Sequence, residues 1–378
     1  MSVSKPLEVL IIGLGAMGSM TALELAQRGA KVTGFDRFTP PHHFGSSHGE
    51  SRIFRTAYFE HPAYVPLANR AYELWRDLEI GVGNELLVMT GSLMLGQENS
   101  PVVQGSLQAS QSSGLEVDFL RAPELSRRFP GMRPDPDEVG VWEAKGGWIN
   151  PEEAVRATLS RALELGAKLY YDTPVLEWGE TADGVFVDTA LGRSEGDILI
   201  ITSGPFVGEI FPALKPELRV TRQVKTWARL VSPEARDWPV YIWDREAAGI
   251  YYGFPAKVGE DEAAVGRHDP GPAQAPSSFN PLGKLTEAQD VSDFVADCLP
   301  GLGALVRALG CMYTMSPDGH FVVGRVPERA RTLVAAGFSG HGFKFAPAIG
   351  EILAQLALGQ DAPLLPDIFS VGRVLVPD

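Results

Sequence analysis

The stretch Val9-Leu10-Ile11-Ile12-Gly13-Leu14-Gly15-Ala16-Met17-Gly18 decides the fold. Its four leading apolar residues read as a central parallel strand buried on both faces. The glycines that follow spell G-x-G-x-x-G at the opening of a helix, expected over 19–28, with Gly29 as its C-cap. Lys31–Phe35 reads as a second strand with Asp36 at its end. The three glycines do different things. Gly13 allows the tight turn, Gly15 lets a pyrophosphate approach the backbone, and Gly18 lets helix and strand pack closely. The helix start offers unpaired N–H groups and a positive dipole end to phosphate. Asp36, about 20 residues on, is placed to accept ribose hydroxyls. The unit predicts a dinucleotide site, and the motif alone does not separate NAD from FAD.

Two more apolar runs extend the pattern. One, 197–202, ends in Ser203-Gly204; the other, Thr332–Ala336, runs into Gly337-Phe338-Ser339-Gly340-His341-Gly342-Phe343-Lys344. Nucleotide-type strands at three distant places imply a nucleotide domain interrupted by inserted material. The fold class expected is α/β: a discontinuous Rossmann-like domain over 1–84, 144–222 and 312–378, plus an α+β substrate domain over 85–143 and 223–311 with a mixed, mainly antiparallel sheet. Helices are expected over 64–78, 102–113, 286–298 and 346–358, and a Pro/Asp-rich loop over 130–138. Arg52 and Arg55, three apart, are expected on one side of a helix turn. Cys311 is expected in a Gly-Cys-Met-Tyr turn.

Composition sets limits. The 378 residues carry 33 basic and 47 acidic side chains, a net charge of −14. That balance argues against a nucleic-acid or anionic-membrane partner, which needs a basic face. An anionic substrate then has to be drawn in by a local cluster of Arg and Lys. Two cysteines, Cys298 and Cys311, make no disulfide framework and suggest a reducing compartment or one thiol kept for chemistry. No run approaches the roughly 18 apolar residues of a membrane span, and no secretory leader is read at the start. A cytoplasmic monomer without metal is expected.

Past residue 40 the chain resembles the monomeric sarcosine oxidase and N-methyltryptophan oxidase family. The resemblance is carried by Gly49-Glu50-Ser51-Arg52-Ile53-Phe54-Arg55, by Gly249-Ile250-Tyr251-Tyr252-Gly253-Phe254-Pro255, by Cys311-Met312-Tyr313-Thr314 and by the Gly337–Lys344 stretch with Gly350-Glu351. It implies FAD, bound covalently through a thioether from Cys311. It assigns Arg52 to the flavin ring, Arg55 and Lys344 to a substrate carboxylate, His341 to the ring's reactive edge, and Tyr252, Tyr313 and His268 to the pocket walls. Ser46, Val175, Gly204, Gly340, Gly342 and Lys344 join the expected cofactor contacts. The implied reaction is oxidation of a C–N bond in a secondary amine or N-substituted amino acid. Hydride passes to flavin N5, the imine hydrolyses to aldehyde and amine, and dioxygen or another acceptor reoxidises the flavin. Fructosyl amino acids and cyclic imino acids are alternative substrates that share the same carboxylate clamp.

The chain departs from this family at one place. Ala264, in Ala263-Ala264-Val265-Gly266-Arg267-His268, stands where the oxidases keep a lysine assigned to oxygen activation. Lys257 and Arg267 are near in sequence, but the first belongs to the other arm of the hairpin and the second is out of phase in strand alternation. This departure leaves a dehydrogenase or a weakly active flavoprotein as the alternative reading.

Overall fold

The computed structural model describes residues 5–375. Its first sheet has six strands in the order Val322–Arg325, Thr332–Ala336, Ile198–Ile201, Glu8–Ile12, Lys31–Phe35, Lys168–Tyr170. All pair in parallel except the edge strand Val322–Arg325. The run beginning at Val9 is central: Val9 faces Ile198 on one side and Val32 on the other. Its side chains are buried on both faces, as a continuous apolar run requires. The helices Ala16–Gln27, Pro151–Glu164 and Ala346–Ala357 pack together on one face. A three-stranded meander, Val175–Glu180, Val185–Thr189 and Gly192–Gly196, covers the other through Val185 and Val187.

The second sheet has eight strands: Leu302–Met315, Arg219–Leu230, Glu262–Arg267, Ile250–Gly253, Val240–Asp244, Ser92–Gln97, Glu138–Glu143, Asp118–Arg121. Only the Val240–Asp244/Ser92–Gln97 pair is parallel. A small sheet of Arg52–Phe54, Gly147–Ile149 and Leu87–Met89 completes the strands. One face of the large sheet is closed by the helix Gln289–Cys298, whose Phe294 stacks on Tyr251 at 4.1 Å. Because successive side chains alternate, Tyr252, Ala264, Lys225 and Trp227 then face the other way, toward the small sheet and the 49–51 segment that leads into it.

Two expectations are corrected. Arg52 and Arg55 do not share a helix turn. Arg52-Ile53-Phe54 is a strand paired with Gly147–Ile149, and residues three apart in an extended chain point to opposite sides. Cys311 is not in a turn either. It lies inside the 14-residue strand Leu302–Met315, opposite Gln223.

Candidate active site

The turn after Ile12 is built as its glycines require. Gly13 has φ +95°, and a Cβ there would sit 2.6 Å from the Thr202 carbonyl oxygen. A Cβ on Gly18 would lie 1.8 Å from the Gly13 carbonyl oxygen, so helix and turn approach where only glycine fits. Asp36 accepts from the Leu14 N–H (2.7 Å) and the Phe38 N–H (2.9 Å), which fixes its carboxylate at the strand end. The helix start, Asp36, Ser46, Val175 and Gly204 line one long cleft. Arg52, Tyr313, Gly340, Gly342 and Phe343 line its far end. Two hydroxyls on its wall, Ser203 Oγ and Thr314 Oγ1, are buried without a protein partner among the described residues. A glycine cradle at a helix start, a terminal carboxylate and unspent donors together fit an adenine dinucleotide.

A smaller cleft continues from that end and shares Arg52, Tyr313, Gly340 and Phe343 with it. Its walls bring together Arg55, Tyr252, His268, Cys311, His341 and Lys344. Lys344, expected at both cofactor and substrate, lines only this smaller cleft. Arg52 donates to the Ser51 and Ser46 carbonyls (2.8 and 2.9 Å) and lies 3.8 Å from Cys311 Sγ. Arg55 is 1% exposed and sits over the rings of Tyr58 (3.9 Å) and Phe59 (4.4 Å). Its Nη2 meets both oxygens of Glu60, at 2.5 and 2.6 Å, yet its Nε–H has no protein partner. Lys344 Nζ donates to the His341 carbonyl (2.7 Å) and lies 3.4 Å from the Tyr58 hydroxyl.

Burial sets the charge states. His341 meets the Tyr58 hydroxyl through Nδ1 (2.5 Å) and the Gly319 carbonyl through Nε2 (3.1 Å). A carbonyl only accepts, so Nε2 carries the proton and Nδ1 accepts from Tyr58. Burial, with Lys344 close by, lowers the pKa of this imidazole to about 3. His48, whose two ring nitrogens lack partners among the described residues, is lowered to about 3 by burial and then by Arg52. Burial also lowers His268, whose Nδ1 is 3.5 Å from the Tyr313 hydroxyl. It raises Tyr252 to about 12 and raises Tyr313 well above the usual tyrosine value. Burial alone would raise Glu60, but the Arg55 charge overrules it and holds the carboxyl at about 2. Lys344 is pushed well down, by burial first and by Arg55 second.

Lys257 and Arg267 are both engaged elsewhere. Lys257 pairs with Glu50 at 3.5 Å, and Arg267 pairs with Asp269 and Asp290 at 2.8 and 2.9 Å. Four site residues had not been singled out in the sequence: His48, Tyr58, Glu60 and Lys225. Lys225 alone left a signal. Thr221, Gln223, Lys225 and Trp227 alternate along one strand and are all buried, so a lysine in phase with a tryptophan marks a charge facing inward.

A fold of this kind, carrying a dinucleotide cleft that opens into a cationic, aromatic-walled pocket, defines a flavin-dependent oxidoreductase. Residues 8–356 match the family described as FAD dependent oxidoreductase, and the chain belongs to that family. It is 41% identical over 359 residues, 93% of each chain, to the monomeric sarcosine oxidase of Streptomyces avermitilis. It is 33% identical over 370 residues to the N-methyl-L-tryptophan oxidase of Yersinia pestis, covering 97% of this chain and 99% of that one. Among solved structures it is similar in fold to NikD, an unusual amino acid oxidase essential for nikkomycin biosynthesis, with TM-score 0.83, 23% identity, and 99% and 98% of the two chains covered. L-proline dehydrogenase from P. horikoshii matches with TM-score 0.82 at 23% identity, covering 98% of each chain. No helix among the described residues is long and apolar enough to cross a membrane.

Proposed function

We propose that the chain oxidises the C–N bond of an N-methyl or similarly N-substituted amino acid, releasing aldehyde and a shorter amine, with dioxygen as the final acceptor. The observation that carries this reading is the continuity of the two clefts through Arg52, Tyr313, Gly340 and Phe343. It sets a small cationic pocket against the end of the dinucleotide cleft where a flavin ring would lie. When bound, FAD supplies the hydride acceptor, N5 of its ring. The protein's own residues supply the rest. Arg55, through its free Nε–H, and Lys344 bind the substrate carboxylate and fix the N-substituent carbon toward the shared end of the clefts. Their charges, with Arg52, disfavour the ammonium form of the amine, so the substrate is held neutral and ready to give up a hydride. Tyr252, Tyr313 and His268 exclude water from the reacting carbon. His341, uncharged and tied at both nitrogens, keeps the ring edge free of a further cation. Gly13, Gly15, Gly18, Asp36, Ser46, Val175, Gly204, Gly340 and Gly342 hold the cofactor, and Cys311 is bonded to it. The nucleotide part is made of 1–84, 144–222 and 312–378, and the substrate part of 85–143 and 223–311. The protein works as a monomer in the cytoplasm.

Adding sarcosine and a panel of N-methyl amino acids without oxygen tests the reading. At least one should bleach the yellow flavin band, and the supernatant should then contain an aldehyde. A flavin left oxidised by every N-substituted amino acid tried would remove amine oxidation as the function.

A further inference from the structure

Lys225 stands on the strand Arg219–Leu230, between Gly266 on one neighbouring strand and Leu309 on the other. Its side chain shares a sheet face with Trp227, Ala264 and Cys311 and lines the smaller cleft beside Arg52. The residue is 4% exposed. Its Nζ donates to the Gly49 carbonyl (2.7 Å), the Ser51 carbonyl (3.1 Å) and Ser51 Oγ (2.6 Å). The rings of Phe254 and Trp227 cover it at 4.3 and 5.4 Å. No carboxylate lies within ion-pair distance among the described residues. Arg307 is neutralised by Glu50 and Glu262, Lys257 by Glu50 and Arg267 by Asp269 and Asp290, whereas Arg52 is held only by the Ser46 and Ser51 carbonyls. Burying an ammonium without a counter-ion is costly, and three oxygens aimed at one amine are a built compensation for it. Across the strand pair, Ala264 faces Trp227, whose indole fills the space a longer side chain at 264 would take.

We propose that Lys225 is the fixed positive charge that speeds electron transfer from the reduced flavin to dioxygen, a charge that Ala264 cannot supply. The inference rests on the reading that the clefts hold FAD and an amine donor. The reaction balances as follows. The reduced, anionic flavin gives up two electrons and its N5 proton, solvent gives a second proton, and dioxygen becomes hydrogen peroxide while the flavin returns to its oxidised form. The first electron turns a neutral molecule into an anion. A cation held in place beforehand favours that charge without reorganising. Arg52, which shares the Ser51 carbonyl with Lys225, is tied to that oxygen and to the Ser46 carbonyl, and Lys344 lies with Arg55. Burial first and Arg52 second push the Lys225 amine down, Glu50 and Glu152 oppose them, and the three oxygens around Nζ hold the ammonium form.

The test uses the holoenzyme reduced by dithionite and mixed with oxygenated buffer. Lys225→Met should lower the reoxidation rate constant by on the order of 100-fold, the scale of losing one preorganised charge. Flavin reduction by substrate should fall far less, and Lys225→Arg should recover a large part of the oxygen reaction. Sulfite, an anion that adds to oxidised flavin, gives a readout without turnover. Its affinity should drop in Lys225→Met and return in Lys225→Arg. If the Met variant does not fold, Lys225→Gln, which keeps a donor for Gly49 and removes the charge, takes its place. A folded, flavin-loaded uncharged variant that reoxidises at the wild-type rate overturns the proposal. A wild-type flavin that no amine bleaches sinks the proposed function and this inference with it. Normal bleaching with unaltered reoxidation in the variants sinks the inference alone.

Discussion

At the scale of single residues, the pocket is a balance of buried charges. Arg55 is held by Glu60 yet keeps one free donor, whereas Lys344 has no carboxylate partner at hydrogen-bond distance. The two arms of the clamp should therefore fail differently. Lys344→Met should weaken a carboxylate inhibitor by about 2 kcal/mol, roughly thirtyfold, the scale of a hydrogen bond to a charged group. Arg55→Met should do the same and also destabilise the fold by about 3–5 kcal/mol, because Glu60 is left buried without its partner. Flavin titration with the inhibitor and urea unfolding separate the two effects; equal stability of both variants would mean that Glu60 finds another partner. The histidines set a pH dependence. His341 and His48 titrate near 3 in the folded protein and near 6.5 when unfolded. The folded state therefore binds fewer protons between those values, so stability is complete above about 6.5 and falls as pH drops toward 3. Glu60, lowered to about 2, extends the loss below 4.5. His48→Asn should flatten the slope of unfolding free energy between pH 6.5 and 4.5; an unchanged slope would show that His48 is protonated in the fold. The sequence made Arg55 and Lys344 legible through their flanks. Glu60 and Tyr58 stayed hidden because nothing in Tyr58-Phe59-Glu60 marks the chain turning back onto Arg55.

At the scale of elements, what the sequence reveals depends on whether periodicity or pairing decides. The strand Glu8–Ile12 and the helix Ala16–Gln27 were readable because an apolar run, a glycine turn and a helical repeat all agree. Leu302–Met315 was not. Its Ala-Leu-Val-Arg-Ala-Leu core favours helix, and only the long pairing with Arg219–Leu230 holds it extended. Gly147–Ile149 and Arg52–Phe54 are three-residue strands, too short to show alternation, and each exists through the other. Glu138–Glu143 follows a loop rich in proline and aspartate whose turn signals masked it, and Asp118–Arg121 is a four-residue strand running straight into the helix Ala122–Arg128. The glycine turn supports a prediction at this scale. Gly18→Ala places a methyl 1.8 Å from the Gly13 carbonyl oxygen, so the helix start must move away from the strand. The cost in stability should be about 1–3 kcal/mol, as for overpacking elsewhere, and the flavin-to-protein absorbance ratio should fall well below that of the wild type. Full flavin loading in this variant would mean that the turn is not where the pyrophosphate binds.

At the scale of the whole molecule, the two sheets divide the work, and the clefts join where they meet. The α/β class and the interrupted first sheet were legible because its buried parallel strands are apolar runs wherever they fall in the chain. The order of the second sheet was not, since antiparallel neighbours distant in sequence leave no local mark. Cys311 belongs to that second sheet, opposite Gln223, yet its sulfur lies 3.8 Å from an Arg52 nitrogen at the end of the long cleft. With FAD in the long cleft, a thioether from Cys311 would tie the second sheet to a cofactor held mainly by the first. Such a bond changes how the molecule comes apart. A ligand held without a covalent bond stabilises the native state by mass action and is lost on unfolding, whereas a bonded flavin stays with the chain. Acid-precipitated wild type should therefore remain yellow, and its flavin should run with the polypeptide on a denaturing gel. Cys311→Ser should release the flavin into the supernatant, and its melting temperature should rise with added FAD while that of the wild type stays constant. A colourless wild-type pellet, or a melting temperature that climbs with free FAD in both proteins, would show that Cys311 is only a small buried side chain in the wall of the pocket.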